Sequence, residues 1–442
     1  ASADPRDGRF ERRDAHQTVA QGKTFGKCGK RLIDRSGASI LWAPGKGALG
    51  GVCRCNNVHM CAWCMARILA VRAANVQAAA EGLAAAGYGL HLGTSTLRHF
   101  SRQRYGSLRK TDRGGLVALL HDAWKGAYGS SGRQWRRFRD TYGVVGYERA
   151  YEDTYGTDTG FHLHFHTLWV TKSVLDDEVQ VQFGRDMARM WADAVRGADG
   201  YNVSLSCDRP GCPCGGEGHG TDLRALNKSV DDATTAARYL YKDGDKGVAK
   251  IGLELSGSHF KDGRLGRLGP LQLGDAAAAE LAELGRPGPY VAKYRERESG
   301  VHGVRKQYRT QNLNKLIVEL GIKQDTRTES QITDDTQGLE PIAVIPASVW
   351  YRHIVRYKGR RLDLIKATEE GGAGAVRLLV ESWGLTWGWD VRPVTPDGDV
   401  EVTEPVDAVP LVRRNAASEA LAGWIQTRTE EEGALFSSSL VS

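Results

Sequence analysis

The sequence predicts an α+β protein built around an antiparallel sheet, with a cysteine-rich module before it and a mostly helical part after it. Three observations predict this class. Residues 161–170, Phe-His-Leu-His-Phe-His-Thr-Leu-Trp-Val, alternate side-chain character with the period of a strand. Residues 144–152 are similarly β-rich, and the Asp-, Thr- and Gly-rich connection from Asp153 to Gly160 folds one run back on the other. Residues 65–86 are rich in Ala, Leu, Arg and Gln and lack proline, which predicts a long helix.

Bulk composition narrows the class. A chain of 442 residues exceeds the usual size of one core, so two or three domains are expected. Charged residues at 26% and hydrophobic ones at 41% are ordinary for a globular protein. The net charge of +7 suits a polyanionic partner without requiring one. No apolar run approaches the roughly 20 residues of a membrane span. The first 21 residues are polar and charged, unlike a secretory signal. Abundant Gly, Ala and Arg suit a GC-rich bacterial gene, and a cytoplasmic location is expected.

The eight cysteines are clustered, five before residue 65 and three between 207 and 214. Without a secretory signal, clustered cysteines read as metal ligands before disulfides. Cys61-Ala62-Trp63-Cys64 is a tight knuckle, and two sulfurs from one turn suit tetrahedral thiolate coordination. Cys28, Cys55, Cys61 and Cys64 are the favoured structural zinc ligands, with Cys53 and His59 competing for a place. A redox dithiol is the rival reading, but it has no use for the extra thiols. Gly45-Lys46-Gly47-Ala48-Leu49-Gly50 matches a dinucleotide fingerprint by letters only, since a βαβ context is missing.

Residues 133–139 combine arginines, including Arg133, Arg136 and Arg137, with Trp135 and Phe138. The segment fits phosphate backbones or a solvated helix face. In the strand at 161–170, Phe161, Leu163, Phe165, Thr167 and Trp169 should face a core. His162, His164 and His166 then form a row on the other face. Neutral imidazole is a common metal ligand, and a hairpin brings Glu152 beside His164 and His166. Two imidazoles and a carboxylate leave coordination positions open, as catalysis requires. His162 is a further candidate.

Cys207, Cys212 and Cys214, with His219, lie among Gly and Pro and make either a second zinc loop or an insertion with free thiols. Asp231 or Asp232 caps a predicted helix whose Thr235, Tyr239 and Lys242 share one face. A phenol is a poor nucleophile near neutral pH, and a nearby ammonium or metal ion favours the phenolate. Residues 290–320 are basic and predicted helical, with Arg305, Lys306 and Arg309 among the cations. After Val391 the chain turns acidic and Pro-rich, with a short helix predicted near 416–426. No internal repeat is found.

Together these segments resemble the HUH endonuclease superfamily, and more narrowly the single-tyrosine rolling-circle replication initiators of bacterial plasmids. Three motifs carry the resemblance. The first, a Thr-Leu-Thr-like strand, corresponds to Leu92-Gly93-Thr94-Ser95-Thr96-Leu97-Arg98-His99. The second, often His-Pro-His-Phe-His, corresponds to His162-Leu163-His164-Phe165-His166. The third, Ala-Lys/Arg-Tyr-x-x-Lys, corresponds to Ala237-Arg238-Tyr239-Leu240-Tyr241-Lys242. The resemblance extends over most of residues 25–355, including the cysteine knuckle, residues 146–152, residues 255–274 and residues 344–350. Leu163 replaces the usual proline. Thr235 stands where some members carry a glutamate that assists the closing reaction.

The resemblance implies a nuclease core of ferredoxin/RRM-like type, with central strands near 90–99, 143–152 and 161–170 and helices on one side. It implies Mg2+ or Mn2+ at His164, His166 and Glu152, and Tyr239 as a nucleophile assisted by Lys242. The product would be a 5′-phosphotyrosine and a free 3′-hydroxyl primer, with later rejoining. The implied partners are single-stranded or hairpin origin DNA with its flanking duplex, contacted by Arg133, Arg136, Arg137, Arg238, Arg305, Lys306 and Arg309, and a host helicase and polymerase. An HUH-type transposase and a non-enzymatic zinc DNA-binding regulator are the alternatives. The expected divisions are 1–87 for the zinc module and helix, 88–275 for the nuclease with an insertion at 205–220, 276–390 for a basic helical DNA-binding domain, and 391–442 for an acidic linker and tail.

Overall fold

The computed structural model describes residues 5–33, 35–112, 114–129, 132–198, 200, 220–227, 266–334, 336–395 and 397–402. The chain is a mixed α+β protein with two antiparallel sheets among the described residues. The larger sheet has five strands. They are β3 (Gly89–Thr96), β4 (Val144–Gly156), β5 (Gly160–Thr171), β6 (Thr221–Ala225) and β7 (Gln307–Arg309), in the order β6-β3-β5-β4-β7. The smaller joins β1 (Ala38–Ala43), β2 (Lys46–Gly50), β8 (Glu340–Ile345) and β9 (Arg392–Pro393), in the order β2-β1-β8-β9.

The strand period decides which side chains meet. Phe161, Leu163, Phe165, Thr167 and Trp169 are all buried, as the alternation predicts. Their face is covered by α4 (Leu116–Tyr128), α5 (Arg133–Tyr142) and α6 (Asp177–Gly197). Trp124 and Tyr128 of α4, Trp135 of α5 and Trp169 of the sheet form an aromatic stack with centroids 5.0–5.9 Å apart. Trp191 of α6 donates its indole N–H to the Thr96 carbonyl at 2.8 Å, tying the helix layer to β3. Such packed rings contribute beyond the apolar area they bury, by about 0.5–1.5 kcal/mol per pair.

The other face carries the histidine row, and it changes character along the strands. At one end it becomes Leu90, Leu168, Val170 and Ala150, which are buried. This apolar half needs cover. It comes from Val76, Ala79, Ala80 and Leu83 of α3 (Ala62–Ala85), with Leu313 and Ile317 of a later helix. Helices therefore pack on both faces, not on one as expected. The polar half beyond them holds His162, His164 and His166.

The hairpin between β4 and β5 forms with Glu152 opposite His164, Ala150 opposite His166 and Thr154 opposite His162. Both strands are longer than expected, so Asp153 is paired in the strand and not in the turn. It is buried because Arg297 reaches it from a distant helix. The turn is Thr157–Thr159, closed by Gly160 at φ +75°; a Cβ there would approach the Ser101 backbone within 3.0 Å.

The remaining helices are α1 (Pro5–Val19), α2 (Lys23–Gly26), α7 (Pro270–Leu284), α8 (Pro289–Gly300), α9 (Gln311–Glu319), α10 (Glu329–Thr333), α11 (Ala347–Val349) running into a π-helical turn at Trp350–Val355, and α12 (Arg360–Ser382). The expected divisions at 87 and 275 do not separate these parts. β8 pairs with β1, so the N-terminal module is completed by a strand from the third expected domain. β7 pairs with β4, so the five-stranded sheet takes its edge strand from the same expected domain. Residues 307–309 are a strand within a segment expected to be helical. Strand pairs this distant in sequence leave no local signal. Gly45 to Gly50 is part of the β1–β2 hairpin, in keeping with its dismissal as a nucleotide loop.

Candidate functional site

Two clusters of metal-ligating side chains lie among the described residues. The first consists of Cys28, Cys55, Cys61 and Cys64, the four favoured from the sequence. Cys61 sits at the N-cap of α3 and Cys64 in its first turn, where the helix dipole favours a thiolate. Cys28 and Cys55 come from two loops held together by backbone bonds, Gly29 N–H to the Cys53 carbonyl and Cys53 N–H to the Arg31 carbonyl, both at 2.8 Å.

Three sulfur separations are 3.7, 3.7 and 3.8 Å. Sulfurs about 2.3 Å from a tetrahedral zinc ion lie about 3.8 Å apart, so the spacing fits. The surroundings fit as well. Arg13 and Arg361 are buried close by, Arg361 bonding the Gly29 carbonyl at 2.6 Å, with Asp14 their carboxylate partner. Buried cations of this kind offset the negative charge of four thiolates. Hydrogen bonds from Cys55, Cys61 and Cys64 hold the Cys28 thiol far below its ordinary value, and Arg13 acts in the same direction. The cluster can hold a metal ion such as zinc. Cys53 and His59 stand outside it. Cys53 is directed to the Leu32 carbonyl at 3.8 Å, and His59 Nε2 lies 2.9 Å from the Val304 carbonyl.

The second cluster consists of Glu152, His164 and His166. Glu152 Oε2 lies 3.1 Å from His164 Nε2 and 2.8 Å from His166 Nε2, and the two Nε2 atoms are 3.1 Å apart. Ala150, opposite His166, is small enough for Glu152 to reach diagonally across the hairpin. Thr94 on β3, also paired with His166, sets its hydroxyl 3.1 Å from His166 Nδ1. With Nδ1 donating there, the Nε2 lone pair is turned toward Glu152 and His164.

Burial pushes the His164 imidazole down. Burial alone would raise the Glu152 carboxyl, but the interactions with His164 and His166 outweigh it and hold the group well below the usual carboxylate range. Neutral imidazoles and a carboxylate are what a divalent ion binds. The site is partly open, with 22% of the His166 side chain exposed. His162 continues the row, its ring 5.0 Å from that of His164, but its Nε2 faces the Thr96 hydroxyl at 3.0 Å and it is not part of the converging set. Burial, aided by His164, Arg267 and His99, pushes it down to about 2.

The expected nucleic-acid contacts divide differently. Arg133, Arg136 and Arg137 are exposed, but α5 lies on the sheet face opposite the histidine row. Trp135 and Phe138 beside them are buried in the core and do not share the exposed face of the arginines. Arg305 is exposed. Lys306 is buried and donates to the Tyr151 carbonyl, and burial pulls it down to about 8. Arg309 pairs with buried Glu148 at 2.7 Å. These two stabilise the sheet edge and are not free phosphate contacts.

Tyr239, Lys242 and Arg238, and Cys207, Cys212, Cys214 and His219, lie outside the described residues, as do residues 416–426. Sequence reasoning missed the Arg297–Asp153 pair, both 1% exposed, whose shorter contact is 2.5 Å. Tyr105 extends it, donating to Asp153 at 3.0 Å and lying 2.7 Å from the Tyr151 hydroxyl. The network sits directly behind Glu152 in the strand. A single Asp in a β-rich run was the one local sign of it.

No family model, curated protein or solved structure matches this chain. No described helix is long and apolar enough to cross a membrane.

Proposed function

We propose that this protein nicks single-stranded origin DNA by metal-assisted tyrosine transesterification and so initiates rolling-circle replication. The observation that carries the proposal is the convergence of Glu152 Oε2, His164 Nε2 and His166 Nε2 on one sheet face, with Thr94 orienting His166. Their separations of 2.8–3.1 Å suit an octahedral ion of the Mg2+ or Mn2+ kind. Ligands about 2.1 Å from such an ion and at right angles lie about 3.0 Å apart, against about 3.4 Å for tetrahedral angles. Imidazole ligands favour Mn2+ of the two.

When bound, the ion would polarise the scissile phosphate and offset its developing charge. Glu152 and the two histidines fix its place on a rigid hairpin. Tyr239 is the proposed nucleophile on the strength of the sequence resemblance. Its Oη forms a bond to phosphorus as the bond from phosphorus to the 3′ oxygen breaks. The phenol proton passes to solvent, and the 3′ oxygen takes one up to become the primer hydroxyl. Lys242 steadies the phenolate or the phosphate, and a strand acceptor later reverses the exchange. In this reading the four-cysteine cluster holds a structural zinc ion.

The test is incubation of a candidate origin oligonucleotide with the protein and Mn2+, then mass spectrometry of the digested adduct. A DNA-linked peptide containing Tyr239, absent from Tyr239→Phe, is the expected result. Adducts at both Tyr239 and Tyr241 would favour a transposase. Binding with no adduct would overturn the nickase in favour of a non-enzymatic regulator.

A further inference from the structure

On the reverse face of the five-stranded sheet, between α4, β4 and the start of α9, lies a cavity of about 540 Å3. Its volume is within the range of small-molecule sites, about 300–1,000 Å3. Its lining includes Trp124, Lys125, Trp135, Tyr147, Arg149 and Tyr308, and none of its lining residues is acidic. Arg149 alternates with Glu148 and Ala150 along β4, so it points away from the histidine row.

The Arg149 environment is unusual. Its guanidinium lies 4.8 Å from the Trp124 ring, 4.3 Å from Phe165 and 5.7 Å from Tyr308. It makes no ion pair among the described residues, and its Nη1 is buried without a hydrogen-bond partner. Burial pulls it down to about 10, with no carboxylate to oppose the shift. The three fully buried arginines each have an acidic partner, Arg13 with Asp14, Arg361 with Asp14 and Arg297 with Asp153, whereas half-buried Arg149 has none among the described residues. An orphaned cationic N–H at a cavity wall calls for an anion from outside.

Two further features narrow the ligand. Tyr308 is half-buried, and its ring also has the exposed Arg305 guanidinium 5.9 Å away, so a planar group entering here meets a stacking surface flanked by cations. Gln311 and Asn312, the first residues of α9, line the cavity, and this helix has no side-chain cap because Thr310 accepts from Tyr147 N–H. Its first amides add to the attraction for an anion.

We infer that this cavity binds one nucleotide unit, its phosphate on Arg149 and Lys125 and its base against Tyr308. The inference does not depend on the metal-assisted nicking reading, since the cavity is on the opposite sheet face. The nucleotide comes either free or as one unit of a single strand.

Titration of the full-length protein with dAMP and with the oligonucleotide dA10, followed by quenching of tryptophan fluorescence, tests it. Saturable binding of either probe, weakened roughly tenfold or more by Arg149→Met and also by Lys125→Glu, is expected. Binding of both probes means a free mononucleotide suffices, and binding of dA10 alone means the strand is the source. Lys125 is exposed, so the Lys125→Glu result stands even if Arg149→Met is poorly folded by circular dichroism. The inference is overturned if neither probe binds, or if well-folded variants at both positions bind as the parent does.

Discussion

The Thr94 hydroxyl and His166 Nδ1 are 3.1 Å apart on neighbouring strands, which fixes the ring that faces Glu152. Outer partners of this kind commonly govern metal affinity by about 10–100-fold. Thr94→Val keeps the β-branched shape and removes the hydroxyl. Mn2+ affinity measured by calorimetry should fall by about that factor while the melting temperature changes little. An unchanged affinity would mean that the ring is held by packing alone.

The four-cysteine cluster should carry one zinc ion per chain. Elemental analysis of purified protein checks the stoichiometry. Cys61→Ser removes a buried ligand at the start of α3 and should lose the ion and lower the melting temperature sharply. Cys53→Ser should lose neither, because Cys53 Sγ is directed to the Leu32 carbonyl. Equal losses from both variants would contradict the assignment of the four ligands.

Arg297 and Asp153 lock α8 to β4. Arg297→Met leaves a carboxylate buried without its cation and should cost about 3–5 kcal/mol in denaturant unfolding. The double variant Arg297→Met/Asp153→Asn should recover part of that cost, since the uncompensated charge is gone. If the double variant is no more stable than the single one, the penalty is lost packing and not charge.

Stability should depend on mild acid through buried His91 and half-buried His121, which lie on the face of the five-stranded sheet covered by α4, α5 and α6, opposite the histidine row. Burial pushes His91 down to about 4 and His121 down to about 4, from an ordinary 6.5. The unfolded chain binds these protons first, so their contribution is complete above about pH 6.5 and is lost as the pH falls toward 4. The melting temperature should drop across that window, and less steeply in His91→Gln/His121→Gln than in the parent. Parallel curves would refute this assignment.

How much was legible in the sequence follows from the range of each interaction. The histidine row, the β4–β5 hairpin and the place of Glu152 follow from a period of two and a short turn, both local. The cysteine ligands follow from chemistry and spacing, although Cys28 lies 33 residues from Cys61. The arginine helix was only half read. Trp135, Phe138 and Tyr142 fall at i, i+3 and i+7, a core stripe, whereas by composition Trp135 and Phe138 group with the arginines as a phosphate-contacting segment or a solvated face. Asp153, Lys306 and Arg309 were misplaced because their partners lie 144 to 161 positions away. No local pattern distinguishes a buried ion pair from a solvated charge.

The pairing of β1 with β8 has a consequence for synthesis. β1 ends at Ala43 and β8 begins at Glu340. At about 5–20 residues per second, ribosomal elongation across that gap of ~300 residues takes about 15–60 s. Throughout that interval one edge of β1 is exposed on the nascent chain, and an unpaired strand edge is a template for association with other chains. The early cysteine segment therefore matures late, and premature termination before residue 340 would release a polypeptide with a persistent adhesive margin.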